Sequence, residues 1–182
     1  GRPEADDARL NAMRQLGNGL YGAGHHKDAL SVREAELAMM RRLGASEESI
    51  LNVKGNVALS YEGVGRLEAS LQMRRDVYSG RLTFRGEAHE LTLLAANNYA
   101  CSLNGLQRFE EAKSLLRKSI PVARRILGES NDVTLKMRWN YARALYEDES
   151  ATLDDLREAV TGLEDAGRTA QRVLGGSHPT TK

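Results

Sequence analysis

The stretch NNYACSLNGLQRFEEA, which runs from Asn97 to Ala112, decides the fold because related copies of it recur along the chain. The copy GNVALSYEGVGRLEAS starts at Gly55 and the copy WNYARALYEDES starts at Trp139, so the three starts are separated by a constant interval of 42 residues. A fixed period of roughly 20 to 50 residues is typical of solenoids and other repeat architectures. The sequence therefore predicts a repeat protein.

The glycines between the copies follow the same interval. Gly44, Gly86 and Gly128 are spaced by 42 residues, and Gly175 follows after 47, so the last repeat is five residues longer. A degenerate first copy, RQLGNGLYGAGHHKDA, begins at Arg14. We therefore expect a single repeat domain over residues 1–182 with four repeats, at approximately 8–46, 47–88, 89–130 and 131–177.

The apolar residues inside a repeat follow the spacing of a helix and not that of a strand. Leu93, Ala96, Ala100 and Leu103 recur every three or four residues, which predicts a first helix, A. A second apolar stripe with the same spacing covers 112–127 after a short polar break, which predicts a second helix, B. Each repeat is therefore predicted to be a helical hairpin.

The register N-x-A-x-x-[YL]-x-x-x-G-x-[FL]-x-x-[AS] resembles the 42-residue tetratricopeptide repeat of kinesin light chains and their relatives. The second copy supplies Asn56, Ala58, Tyr61, Gly65, Leu67 and Ser70, and the third supplies Asn98, Ala100, Leu103, Phe109 and Ala112. The connectors RGEAHELTL from Arg85, LGESNDVTL from Leu127 and LGGSHPTT from Leu174 are also similar to the connector of that family. The resemblance spans nearly the whole chain and implies an all-α fold, a right-handed α-α superhelix of tetratricopeptide hairpins.

Small residues at fixed positions are expected to let helices A and B approach closely. They are Ala58, Ala100, Ala142 and Gly17 on the A helices and Ala29, Ser70, Ala112 and Ala159 on the B helices. Two residues depart from the repeat pattern. Gln107 replaces the turn glycine in the third copy, and Pro121 inside a predicted B helix is expected to kink or break it.

The composition excludes several classes of partner and setting. The 26 basic and 25 acidic side chains leave a net charge of +1, which gives no global reason to bind nucleic acid. No apolar run approaches the roughly 20 residues that span a bilayer. The single cysteine, Cys101, cannot form an internal disulfide, which favours a reducing, cytoplasmic setting. The chain starts without Met and stops at SHPTTK, which predicts a segment of a longer chain.

The resemblance implies that the A helices line a concave groove and that the asparagines of the repeat register lie on its wall. A carboxamide there can both donate to and accept from an extended peptide backbone. The predicted groove residues are Gln15, Asn56, Asn98 and Asn140, together with their helical neighbours Arg14, Asn52, Asn97, Lys136, Trp139 and Arg143. The cations among them favour a peptide that carries carboxylates beside a hydrophobic anchor. Two alternatives remain open: the asparagines bridge neighbouring helices, and Trp139 fills core between repeats.

The other groups of potentially reactive residues match no pattern of a metal site, a phosphate loop or a catalytic centre. His25 and His26 are adjacent, which does not direct both rings at one metal ion, and His26 shares the packing position of Leu67 and Phe109. The glycines at 17, 19, 22 and 24 lack the preceding strand and the Gly-Lys-Ser/Thr end of a phosphate loop. Cys101 has no histidine nearby in sequence. We therefore expect no catalytic residue, no metal and no cofactor.

The leading hypothesis is a non-catalytic adaptor that binds a short linear peptide of a partner protein, as the resemblance to the cargo-binding domain of kinesin light chains implies. Its partners would be cargo adaptors, or a motor heavy chain through regions outside this segment, and not nucleic acid or membrane. The alternative is a regulatory or sensor module that controls an attached signalling enzyme or ATPase. Exposed repeat ends also predict weak self-association.

Overall fold

The computed structural model describes residues 2–174, and these residues form eight α-helices and no strand. The helices are α1 (Arg2–Gly22), α2 (His26–Arg42), α3 (Glu47–Gly63), α4 (Leu67–Arg85), α5 (Glu90–Gly105), α6 (Phe109–Ile126), α7 (Asp132–Tyr146) and α8 (Leu153–Leu174). The predicted all-α class is therefore confirmed. The last connector, LGGSHPTT, lies outside the described residues from Gly175 onward, including His178.

Successive helices pack as hairpins. α1 packs on α2, α5 on α6, and α7 on α8. In the second hairpin, Arg74 Nη2 on α4 donates to Glu62 Oε2 on α3 at 2.7 Å. The predicted alternation of A and B helices is confirmed by this order.

The turns inside the hairpins use a left-handed residue at the same register position. Gly24 and Gly65 have φ values of 81° and 77°, and Gln107 in the third turn has φ 59°. Gln107 is the only non-glycine residue within residues 2–174 with a positive φ. A left-handed backbone costs a residue with a Cβ about 1 to 2 kcal/mol, so the third turn is strained at Gln107.

Side chains of the connectors cap three of the A helices. The Ser46 hydroxyl accepts a hydrogen bond from the Ser49 amide at 3.3 Å, and Asn131 Oδ1 accepts one from the Val133 amide at 2.8 Å. His89 Nδ1 accepts from the Leu91 amide at 3.1 Å. Each bond satisfies an amide that has no partner inside its own helix. The repeated connector therefore has a structural role in starting the next helix.

The small residues predicted at the helix crossings are buried, which confirms them as packing positions. This holds for Ala58, Ala100 and Ala142 on the A helices and for Ala29, Ser70, Ala112 and Ala159 on the B helices. Gly17 is also buried, and a Cβ on it would lie 3.1 Å from the Arg33 Cγ atom. The expected break at Pro121 is not found, because α6 continues through it to Ile126.

The chain divides into two compact units, residues 1–80 and 81–182, with the boundary inside α4. Unit 1 has a core of Leu30, Leu37, Met40, Val53 and Val57, which joins α2 to α3. In unit 2, Ala142, Leu145 and Ala159 join α7 to α8, with Tyr141 and Leu163 packed against them. α7 also packs on α5 and α6. This division into two units does not test the boundaries predicted for the four repeats, which stay a prediction.

An ion pair closes the junction between α6 and α7 in unit 2. Lys113 on α6 is buried, and its Nζ atom lies 2.9 Å from Asp148 Oδ2, just after the end of α7. Hydrogen bonds from the Ser150 hydroxyl and from Lys113 lower the pKa of Asp148 from its ordinary value of 3.8 to about 2. The carboxylate therefore stays charged in the folded protein even in moderately acidic solution.

Asp148→Asn is expected to lower the melting temperature at pH 7, because it removes one of the two carboxylates that pair with the buried Lys113 ammonium and leaves only the more exposed Glu110 of that pair. A lowered pKa stabilises the fold above the ordinary value of 3.8, and that contribution is lost as the pH falls toward about 2. The difference in melting temperature between wild type and variant should therefore shrink between pH 4 and pH 2, as followed by circular dichroism. Asp132→Asn, which removes an exposed pair with Lys136, is the control. A difference that does not change with pH would contradict this role.

No helix within residues 2–174 is long and apolar enough to cross a membrane.

Candidate functional site

The predicted groove residues of unit 1 lie on α1 and α3. Arg14, Gln15 and Asn52 are exposed, and Asn56 is half-buried. Arg14 Nε donates to Glu36 Oε1 on α2 at 3.2 Å. Their side chains are therefore accessible to a ligand to different degrees, and a role for any of them in binding stays a prediction.

Arg33 joins its own helix, α2, to α1 and to α3. Its guanidinium donates to the Asn56 carbonyl at 2.9 Å, to the Ser60 hydroxyl at 2.8 Å and to Asn18 Oδ1 at 3.0 Å. It also lies over the Tyr21 ring, with Cζ 4.9 Å from the ring centroid. The side chain is buried, and this burial lowers its pKa, while the nearby Tyr21 raises it. The repeat pattern of the sequence does not predict this network.

Glu36 is a second buried charge on α2. Its Oε1 atom accepts from Arg14, whereas Oε2 has no hydrogen-bond partner within the described part of the chain. Burial raises the pKa of Glu36, and the charges of Arg14 and Arg33 oppose that shift. Arg14 is thus both a predicted groove residue and the partner of a buried carboxylate.

Asn140 in unit 2 lies in the junction between α5 and α7. It is 4% exposed, and its Nδ2 atom donates to Asn97 Oδ1 at 3.0 Å. Asn104 Nδ2 in turn donates to the Asn140 backbone carbonyl at 2.8 Å. These bonds bridge neighbouring helices, which is the first of the two alternatives that the sequence left open. Contact between Asn140 or Asn97 and a peptide stays a prediction.

A set of more accessible side chains forms what we call the α5–α7 face. Spacings of three and four residues place its members on one side of each helix, and α5 packs against α7. Asn98 and Arg143 are half-buried and the other four are exposed. The α5–α7 face consists of Leu94, Asn98 and Cys101 on α5 and Lys136, Trp139 and Arg143 on α7.

Trp139 is 49% exposed, so its ring does not fill core within the described structure. The Arg143 guanidinium lies 5.8 Å from the ring centroid and donates to Glu147 Oε2 at 2.8 Å. Lys136 Nζ donates to Asp132 Oδ2 at 2.6 Å. Ion pairs between residues four apart on a solvent-accessible helix face contribute about 0 to 1 kcal/mol. An incoming carboxylate can therefore replace Glu147 or Asp132 at little cost.

The histidine pair and the cysteine have ordinary environments. His26 is half-buried, which agrees with the packing position assigned to it, and its ring centroid lies 4.9 Å from that of Tyr21. It also packs closely on Gly63, where an added Cβ would lie 2.7 Å from His26 Cγ. Cys101 is an exposed free thiol. Among residues 2–174, no group of three His, Cys, Asp or Glu side chains is placed to hold a metal ion.

One known protein family matches part of this chain. A sequence model of the tetratricopeptide repeat family matches residues 92–132, which cover α5, α6 and the connector to α7. The chain therefore contains a tetratricopeptide repeat in this region. Tetratricopeptide repeats are generally protein–protein interaction modules and are typically non-catalytic. No curated protein sequence matches this chain.

Solved structures of kinesin light chain type are similar in fold to this chain. The crystal structure of BtubC (BKLC) from P. vanneervenii has a TM-score of 0.77 and 17% identity, over 97% of this chain and 68% of that one. Two crystal structures of a Podospora anserina kinesin light chain with nearly identical TPR-like repeats have TM-scores of 0.80 and 0.77. Each is 20% identical and covers 95% of this chain and 80% of the other. The fold class is accordingly a TPR-like α-α superhelix.

Proposed function

We propose that this chain is a non-catalytic scaffold that binds a short linear peptide of a partner protein on the exposed sides of its A helices. The peptide carries carboxylates beside one aromatic or aliphatic anchor. This is the kind of task that the similarity to kinesin light chains suggests, with a cargo adaptor as the partner. The single free cysteine fits a cytoplasmic setting, which we propose with it.

The observation that carries the proposal is the exposed Trp139 ring on the α5–α7 face. A ligand that covers the exposed part of this ring removes apolar surface from water, which favours binding. Arg143 lies beside the ring and Lys136 lies one helical turn before it. The ring would cover the apolar anchor of the peptide, and the two cations would pair with its carboxylates. A peptide with lysines and arginines around its anchor would be repelled.

Asn98 adds a group that suits a peptide backbone. Its Oδ1 atom accepts only a long bond of 3.4 Å from Asn97 Nδ2. Its own Nδ2 atom donates to no acceptor within the part of the chain that the structure describes. The carboxamide can therefore donate to a peptide carbonyl and accept from a peptide amide. In unit 1, Gln15, Asn52 and Asn56 with Arg14 are proposed to offer a similar set of groups.

Asn98→Ala is expected to weaken peptide binding by about 1 to 3 kcal/mol, because it leaves a peptide amide without its partner. Its melting temperature should stay at the wild-type value, since Asn98 makes one long bond within the protein. Asn140→Ala is the matched control. It removes a buried bond to Asn97 and should lower the free energy of unfolding by about 1 to 3 kcal/mol.

The ligand for this measurement comes from selection of a displayed library of random peptides on the wild-type protein. We expect enrichment of peptides with Asp or Glu next to an aromatic or aliphatic residue, and loss of that enrichment with Trp139→Ala. Affinities of a selected peptide are then measured by isothermal titration calorimetry. Enrichment of basic peptides, or equal affinity of wild type and Asn98→Ala, would contradict the proposed face.

A further inference from the structure

Glu36 on α2 is a buried carboxylate at a position where the other repeats carry no charge. It is 1% exposed. It lies seven residues after the buried small residue of its B helix, and the residues at this distance in the other repeats are Val77, Ser119 and Ala166. Packing at this position therefore does not require a charge. A buried ionised carboxylate costs free energy unless its partners compensate for the lost water. The partners of Glu36 therefore decide whether it is ionised in the folded protein.

Glu36 has few of the hydrogen bonds that a buried carboxylate can accept. Its Oε1 atom accepts from Arg14 Nε on α1 at 3.2 Å, whereas Oε2 accepts from no donor within residues 2–174. Arg33 adds a positive charge, but its guanidinium donates to other groups on α1 and α3. Burial raises the pKa of Glu36, and Arg14 is the largest of the influences that oppose this shift. The ionised form therefore depends mainly on Arg14.

Further titratable groups lie on α2 and on the two helices packed against it. Tyr21 on α1 lies against the Arg33 guanidinium and against the His26 ring. Charged side chains of α3 pair with α4, in Lys54–Asp76 and Glu62–Arg74. None of these groups bonds to Glu36 within the part of the chain that the structure describes. Arg14 is therefore the group through which a ligand can act on Glu36.

Arg14 connects this buried carboxylate to the surface. Its side chain is 43% exposed, and it belongs to the set of groups that unit 1 is proposed to offer to a peptide. The bond to Glu36 uses Nε, and a guanidinium has further donors on its two Nη atoms. A peptide carboxylate that pairs with these donors brings a second negative charge to the arginine that keeps Glu36 ionised.

We infer that unit 1 takes up a proton when it binds an acidic peptide, because the peptide carboxylate competes with Glu36 for Arg14 and Glu36 becomes the neutral acid. The proton comes from the solvent and adds to Oε2, the oxygen without a donor in the described chain, and no other covalent bond forms or breaks. An added negative charge raises the pKa of a carboxyl group further. The bound state holds more protons than the free state, so the affinity rises as the pH falls. The inference rests on the proposed function, since it needs a peptide on Arg14.

Isothermal titration calorimetry in two buffers of different ionisation enthalpy counts the protons taken up with each bound peptide. The probe is an acidic peptide selected on the wild-type protein and made without histidine and with blocked ends. Its carboxylates are mostly ionised from about pH 5 to about pH 7.5, and pairing with a cation can only make them release protons. Net uptake therefore comes from the protein. We expect uptake by the wild type and an affinity that rises more than about threefold from about pH 7.5 to about pH 5. A wild type that takes up no proton would overturn the inference.

Glu36→Gln is the decisive variant, because glutamine keeps the size of the side chain and an acceptor for Arg14 but cannot take up a proton. Proton uptake should vanish, and at about pH 7.5 the variant should bind the peptide at least as tightly as the wild type does. Glu34→Gln is the matched control, since Glu34 is an exposed carboxylate on the same helix that accepts from Tyr61. This control should take up protons as the wild type does. Uptake that persists in Glu36→Gln would assign the proton to another group, such as His26, and overturn the inference.

Arg14→Gln is a second variant, at an exposed position, and circular dichroism melting curves check that both variants are folded. It should bind the peptide more weakly and take up no proton. Wild-type affinity in Arg14→Gln would show that the peptide does not use this arginine, which overturns the inference and leaves the α5–α7 face as the proposed site. If no acidic peptide is selected at all, the proposed function fails. If a peptide binds through Arg14 without proton uptake, only the coupling to Glu36 fails.

Discussion

Arg33→Met is expected to lower the free energy of unfolding by about 3 to 5 kcal/mol, the range for breaking a buried charged network. Methionine keeps much of the length of the side chain but none of its donors. The Asn56 carbonyl, the Ser60 hydroxyl and Asn18 Oδ1 each lose a hydrogen bond. Glu36 also loses one of the two positive charges that oppose its raised pKa. The polar contacts through which Arg33 joins α2 to α1 and α3 are then lost.

Urea denaturation followed by circular dichroism measures this effect, and the transition of unit 1 should move to lower urea. Arg75→Met is the matched control, because Arg75 is an exposed arginine on α4 in the same unit. Surface substitutions usually change stability by no more than about 0.5 kcal/mol. A change of that size for Arg33→Met would mean that the network contributes no net stability.

Leu103→Ala is expected to lower the free energy of unfolding of unit 2 by about 2 to 5 kcal/mol. Leu103 lies on α5 and is almost fully buried. Removing its branched end leaves a cavity beside α6 and α7, both of which pack on α5. Helices held on two sides cannot collapse fully into such a space, so the loss of contacts is added to the loss of apolar burial.

Leu94→Ala provides the control for this substitution. It removes the same atoms from the same helix, but Leu94 is exposed on the α5–α7 face. We expect it to leave the urea transition almost unchanged. Equal losses of stability for Leu94→Ala and Leu103→Ala would show that intrinsic helix propensity, and not packing, sets the stability of α5.

Much of the fold can be predicted from the sequence, because the copies of a repeat show several times which residue types occur at each position. Ala100 alone is uninformative, but Ala58, Ala100 and Ala142 at one register identify a close helix crossing, and all three are buried. The turn glycines are recognisable for the same reason. Gln107 then stands out as a departure, and the structure gives it the same left-handed backbone as Gly65.

The polar contacts could not be predicted from the repeat register in the same way. Asn98 and Asn140 occupy equivalent positions, yet Asn140 is buried against Asn97, whereas the Nδ2 atom of Asn98 donates to no acceptor among residues 2–174. The difference depends on which side chains the neighbouring helix supplies, and that changes from repeat to repeat. Arg33 is a second case, since the same position holds buried Arg74 in the second repeat and buried Leu116 in the third. Two charged residues at a position that is apolar in the other repeats were the signal available, and the candidate site remains a prediction.

Trp139 has a further consequence, because it is the only tryptophan of the chain. Excitation at the long-wavelength edge of the protein's absorption band therefore excites a single indole ring, which lies on α7 in unit 2. Unit 1 contributes no tryptophan fluorescence. A ligand that covers this half-exposed ring moves it into less polar surroundings and shifts its emission to shorter wavelength, whereas unfolding shifts it the other way. The opposite signs let one unlabelled sample report both on occupancy of the α5–α7 face and on the folding of the unit that carries it.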